Sequence, residues 1–190
     1  MKKIPMTLPN FLTFLRLMLG FVLFAIALLN EERIFIGVLI FAFFLDLIDG
    51  PIARWTHKTS ELGSWLDSIA DFSVYMAFTV GAWLLWPEII LRELIYVCLL
   101  VFSIVIPVLV GYIKFHKSTS YHTWLVKFAV ACMAPASIIL FIGGPVWPFQ
   151  VASIISVFAG LEEIIITCML DKPRSNLKSI VHIVREQKKI

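Results

Sequence analysis

Four aspartates lie inside apolar sequence: Asp46 and Asp49 close one hydrophobic run, Asp67 and Asp71 open the next, and Gly50, Ala53, Arg54 and Gly63 lie between them. An isolated ionised carboxylate in a low-dielectric medium neutralises or finds a counter-charge, and four close together also repel. Arg54 adjoins them in sequence, but one arginine cannot balance four acids, so bound metal is the natural supplement. Ligands made only of oxygen suit a hard divalent ion, Mg²⁺ or Mn²⁺, whereas zinc or copper would call for His or Cys partners. Two ions sharing four carboxylates fit the charge. Such a pair serves phosphoryl chemistry, where metals neutralise oxyanions and the leaving phosphate.

Helix geometry brings these groups together. At about 100° per residue, Asp46, Asp49, Gly50 and Ala53 fall within an arc of roughly 100°. On the following helix Gly63, Asp67 and Asp71, spaced by four, form a stripe. The two helices run in opposite directions from one connection, with acids about 5 and 8 residues before Arg54 and about 4 and 8 after Gly63. At about 1.5 Å per residue the pairs sit at matching depths, and four carboxylates can converge. The small residues Gly50, Ala53 and Gly63 would let a bulky ligand approach the backbone, although each alone would serve equally for close helix packing.

The elements that must position this cluster are membrane helices. Of 190 residues, 60% are hydrophobic and 15% charged, and the mean hydropathy is +0.93, leaving too little polar surface to cover a soluble globule. Apolar stretches of about 20 residues read from Pro9 to Leu29, Ile34 to Arg54, Ser64 to Trp86, Leu94 to Lys114, His122 to Ile142 and Val146 to Leu170. The expected fold is an all-α integral membrane protein, with six transmembrane helices in one bundle over residues 1–172 and a basic tail over 173–190. Lys2 and Lys3 ahead of an apolar run resemble the start of a signal peptide. Pro5 and Pro9 interrupt it and no small-residue cleavage site follows, so it reads as an uncleaved first helix.

An even number of helices puts both termini on the same side. That side collects fourteen of the 16 Lys and Arg residues, leaving Arg33 and Arg92 for the other, so it is expected to be cytoplasmic and the protein to lie in the cell membrane. The net charge of +3 then reflects topology and anionic lipid headgroups, and no nucleic-acid partner is expected. Cys98, Cys132 and Cys168 lie singly in separate apolar runs, giving neither zinc-ligand spacing nor a disulfide framework.

The pattern Asp46-x-x-Asp49-Gly50-x-x-Ala53-Arg54, then eight residues, then Gly63-x-x-x-Asp67-x-x-x-Asp71 resembles the signature of the CDP-alcohol phosphotransferase family, class I. These membrane enzymes move a substituted phosphate from a CDP-linked donor to an alcohol and release CMP. The resemblance implies that Asp46, Asp49 and Asp67 hold a binuclear metal centre with Asp71, and that Asp71 also takes the proton from the acceptor hydroxyl. It also implies nucleotide contacts from Asp49, Gly50, Ala53, Arg54, Ser60 and Gly63. The stretch Pro9-Asn10-Phe11-Leu12-Thr13-Phe14-Leu15-Arg16 is similar to the family's first helix, whose polar groups enter the donor site. Asn10 and Thr13 are nucleotide candidates on that ground, with helix capping the plain alternative. Arg16, deeper in the helix, needs a phosphate or a carboxylate of the cluster as partner.

For the acceptor, Arg16, Lys114, Lys117, His122 and Lys127 could meet a phosphorylated alcohol by charge, though positive-inside topology already places basic residues in the fourth connection. Lys127 should lie a turn or more within the fifth span, where Glu162 or Glu163 of the sixth could pair with a lysine. The Asn10, Thr13 and Arg16 pattern looks like the branch of the family that uses glycerol 3-phosphate, resembling phosphatidylglycerophosphate synthases. Phe72 departs from it, since that branch usually has lysine after the last aspartate. Inositol phosphate, serine or another alcohol stays open as the acceptor. The expected donor is CDP-diacylglycerol, and family members are commonly homodimers. After Pro173, Leu177, Ile180, Val181 and Val184 at helical spacing among basic residues fit an amphipathic helix on the cytoplasmic leaflet, or a frayed tail. The rival reading from another class is a divalent-cation transporter, which should spread its acids across the membrane or between repeated halves; here they keep to one depth.

Overall fold

The computed structural model describes residues 8–56, 61–116, 121 and 123–170, with the backbone alone for 8–10, 49–56, 61–65, 67 and 68. Among the described residues all regular structure is helical: α1 (Leu8–Leu28), α2 (Glu32–Thr56), α3 (Glu61–Leu85), α4 (Pro87–Arg92), α5 (Leu94–Phe115), α6 (Trp124–Phe141) and α7 (Trp147–Met169). The chain divides into two compact units, Met1–Ile90 and Leu91–Ile190.

In the first unit α1 is the central element. It packs along α3 most extensively and along α2 as well, whereas α2 and α3 touch little. Gly20 permits the close approach to α3, because a Cβ there would lie 2.5 Å from Ser73 Oγ and 3.0 Å from its carbonyl carbon. Away from that seam, edge-on ring pairs, Phe43 with Phe78 and Phe35 with Trp86, tie α2 to the far part of this unit. α1 stops at a left-handed Asn30, φ 59°. There Asn30 N–H donates to Ala27 O at 3.2 Å and Glu31 N–H to Ile26 O at 3.3 Å, the paired bonds of a Schellman ending.

The second unit is arranged around α7, which packs on α5 and on α6. Gly160 lies against α5 so closely that a Cβ would come 2.5 Å from Ser103 O. α6 begins with Thr123, whose hydroxyl accepts from Val126 N–H at 3.2 Å, and ends on left-handed Gly143, φ 82°. Buried Glu93 joins the starts of α5 and α7, accepting from Gln150 Nε2 at 2.9 Å and Arg92 Nε at 3.3 Å.

Among the described residues four helices are long and apolar enough to cross a membrane: α1 over Phe11–Leu28, α5, α6 and α7; α3 adds a shorter apolar stretch, Ile69–Leu85. Their outward residues, such as Phe21, Ile95, Ile113 and Phe158, are exposed apolar side chains, the surface a lipid solvent requires. Boundaries differ from the sequence expectation, notably in two places. The fifth span, expected from His122, forms a helix from Trp124; and between a third span expected to end at Trp86 and a fourth expected from Leu94, Pro87 starts a separate short helix, α4, its missing N–H costing nothing at the first position. The expected C-terminal helix after Pro173 lies outside the described residues.

Candidate active site

Because α2 and α3 scarcely meet, what joins their acids must come from α1. Arg16 supplies it. Its side chain is 1% exposed; Nη1 donates to Asp46 Oδ1 at 2.5 Å and Nη2 to Asp71 Oδ1, while the two carboxylates stay 51% and 39% exposed. A guanidinium presents its terminal nitrogens as a planar fork, and here the fork spans two helices, fixing one oxygen of each acid. Thr13, three residues earlier on the same face, is also buried. Asp46 and Asp71 are the two signature acids furthest from the connection, and depth counting along both helices places them level.

Arg16, Asp46 and Asp71 share a small, half-open recess of about 10 Å³ with Ala42, Phe43, Val74 and Tyr75. Three charged and three apolar residues thus line it, together with Tyr75. Tyr75 is the residue that the sequence reading passed over. Its spacing of four from Asp71, continuing the stripe of Gly63, Asp67 and Asp71, was the available signal.

Asn10 lies in the first turn of α1, Asp49, Gly50, Ala53 and Arg54 in the last turns of α2, and Gly63 and Asp67 in the first turns of α3; their side chains, like Ser60, Lys117 and His122 altogether, fall outside the described residues. Among the described residues no three His, Cys, Asp or Glu gather as a metal site. Asp46 and Asp71 are the described pair of the four acids. As clustered oxygen donors with open faces they suit a hard divalent cation.

The two described lysines of the acceptor set belong to the second unit. Lys114 Nζ donates to Thr167 O at 3.1 Å and Cys168 O at 3.0 Å, meeting the open carbonyls at the end of α7, where a cation is favoured. Lys127 is in the first turn of α6, exposed, with Nζ 5.4 Å from the Trp124 ring centre, and not a turn or more inside the span, because the helix starts at Trp124 and not at His122. Neither lysine forms an ion pair with Glu162 or Glu163 among the described residues.

Comparison with known proteins agrees with the signature. Cardiolipin synthase (CMP-forming) of Rattus norvegicus is 43% identical over 68 residues, 35% of this chain and 22% of that protein. The protein of the same name from Homo sapiens is 43% identical over 68 residues, 35% of this chain and 23% of its own length. A probable cardiolipin synthase (CMP-forming) of Drosophila melanogaster is 39% identical over 67 residues, 35% of this chain and 21% of that protein. The likeness thus covers less than a quarter of those proteins' length. No solved structure matches. The family model for CDP-alcohol phosphatidyltransferase matches residues 6–169, most of the chain, and the protein belongs to that family.

Proposed function

We propose that the protein transfers a phosphatidyl group from CDP-diacylglycerol to a glycerol-type alcohol, glycerol 3-phosphate in the first reading, and releases CMP. The observation that carries this is the junction of Asp46, Asp71 and Arg16 beside an open recess, with the complete signature on the same two helices. Asp71 accepts the proton of the acceptor hydroxyl. The freed oxygen forms the new bond to phosphorus while the bond from phosphorus to the CMP oxygen breaks, and CMP leaves with that electron pair. Arg16 holds Asp71 aimed, so the carboxylate acts as a positioned base. A pair of Mg²⁺ or Mn²⁺ ions held by Asp46, Asp49, Asp67 and Asp71 would neutralise the diphosphate and the departing phosphate. Asn10, Thr13, Asp49, Gly50, Ala53, Arg54, Ser60 and Gly63 are assigned to the nucleotide on the signature's pattern. Six spans, both termini and the site on the cytoplasmic side, and a homodimer complete the proposal; the one-sided distribution of Lys and Arg supports its orientation.

A lipid acceptor, phosphatidylglycerol, is the second reading, favoured by the cardiolipin synthases among the relatives. The test is CMP release from CDP-diacylglycerol with Mg²⁺ or Mn²⁺ against glycerol 3-phosphate, phosphatidylglycerol, inositol phosphate, inositol and serine. Release with a glycerol-type acceptor alone is expected. Divalent-cation flux in liposomes without CMP release would overturn the transferase in favour of a transporter.

A further inference from the structure

We propose that Tyr75 is a specificity-determining residue for the acceptor, its hydroxyl bonding the secondary alcohol of a terminal 1,2-diol whose primary hydroxyl is the one that reacts. The inference rests on the transferase reading above and names the substrate class of the same site.

Tyr75 lies one helical turn beyond Asp71, about 6 Å further along α3, within the apolar stretch Ile69–Leu85. It lines the recess that holds Arg16, Asp46 and Asp71. Its backbone carbonyl is engaged by Thr79 Oγ1 at 2.8 Å, but its hydroxyl has no hydrogen-bond partner among the described residues. Tyr75 is exposed, so its hydroxyl is open to a ligand, and on an apolar helix it gains from one. The other polar groups of the recess are charged: Arg16 bonds one oxygen of Asp46 and one of Asp71. Ala42, Phe43 and Val74 offer no polar side-chain atom. Tyr75 is therefore the recess residue with a neutral donor and acceptor to give to a ligand.

The spacing says which part of the ligand. A hydroxyl about to lose its proton to Asp71 sits within hydrogen-bond reach of that carboxylate. Side chains on a helix lean toward its N-terminus, so Tyr75, one turn after Asp71, shares its recess and can meet the carbon next to the reacting one. In a 1,2-diol that neighbouring carbon bears an oxygen. Glycerol 3-phosphate and phosphatidylglycerol both present such a diol, so the contact serves either acceptor.

The experiment compares the wild type with Tyr75→Phe, which keeps the ring and removes only the hydroxyl. Two acceptor pairs are used: glycerol 3-phosphate against 3-hydroxypropyl phosphate, and phosphatidylglycerol against its analogue lacking the secondary hydroxyl. The variant is expected to raise KM for the diol acceptor about tenfold, the effect of one lost neutral hydrogen bond. KM for the deoxy acceptor and for CDP-diacylglycerol should stay within about twofold, and kcat should change little. A merely structural tyrosine would alter both acceptors alike. An equal effect on the two members of a pair, or none on either, overturns the contact while leaving the transferase standing. No CMP release by the wild type with any diol overturns the transferase reading and the contact with it.

Discussion

The two units are built on the same plan and use it differently. In each, one helix lies between two others that have little or no contact with each other: α1 between α2 and α3, and α7 between α5 and α6. At the centre of the first, a buried arginine takes its partners from both flanking helices. In the second, α7 is held by close backbone approach at Gly160, by the hydrogen bond of 3.0 Å between the Thr167 and Tyr121 hydroxyls, and by Lys114 on its terminal carbonyls. Several polar groups of α7 are taken up by backbone: Ser156 donates to Ala152 O at 2.9 Å and Thr167 Oγ1 to Glu163 O at 2.9 Å, whereas the buried Ser153 hydroxyl has no such bond among the described residues. Half-exposed charge around a recess distinguishes the first unit, where the proposed chemistry lies, from the second, whose α7 is held by packing and local hydrogen bonds.

Substitutions can break that contrast in order of severity. Asp71→Asn should lower CMP release by about 10³-fold, within the range for loss of a general base, while nucleotide binding measured by titration persists. Undiminished turnover would remove Asp71 from the mechanism. Arg16→Met should cost turnover about 10²-fold and thermal stability about 2 kcal/mol, less than for a wholly buried pair because both carboxylates remain half open to screening. Arg16→Lys should recover part of the stability and little of the turnover, since an ammonium cannot reproduce the fork. In the second unit Gly160→Val should destabilise by about 2 kcal/mol through overpacking against Ser103, with both KM values unchanged in the protein that folds. Altered KM there would show that the supporting unit shapes the site. The smallest effect belongs to Lys114→Met: about 0.5 kcal/mol from loss of a cation at a helix end and an unchanged acceptor KM, whereas a raised one would support Lys114 as an acceptor contact.

The cluster and its helices could be read from the residues because two periodicities coincide there: apolar runs long enough to span and acids at spacings of three and four. The partner of Arg16 could be narrowed only to a phosphate or a carboxylate. Nothing in the order of residues states that α1 lies between α2 and α3, which is what puts the guanidinium on Asp46 and Asp71. Tyr75 was hidden for a related reason, since an aromatic residue in an apolar helix reads as ordinary packing until a recess is found beside it. At Lys127 a helix start displaced from His122 to Trp124 moved a side chain from the interior of a span to its rim. The short helix α4 escaped because a span count has no place for six residues.

The distance along the chain between Arg16 and its partners also bears on how the protein is made. Asp46 follows it by 30 residues and Asp71 by 55. At a synthesis rate of roughly 5–20 residues per second, α1 leaves the ribosome about 3–10 s before its second partner exists. During that interval the guanidinium is carried, without Asp71, by a segment that must enter lipid, where an arginine favours the headgroups. The full fork of Arg16 can therefore close only after the third helix has emerged.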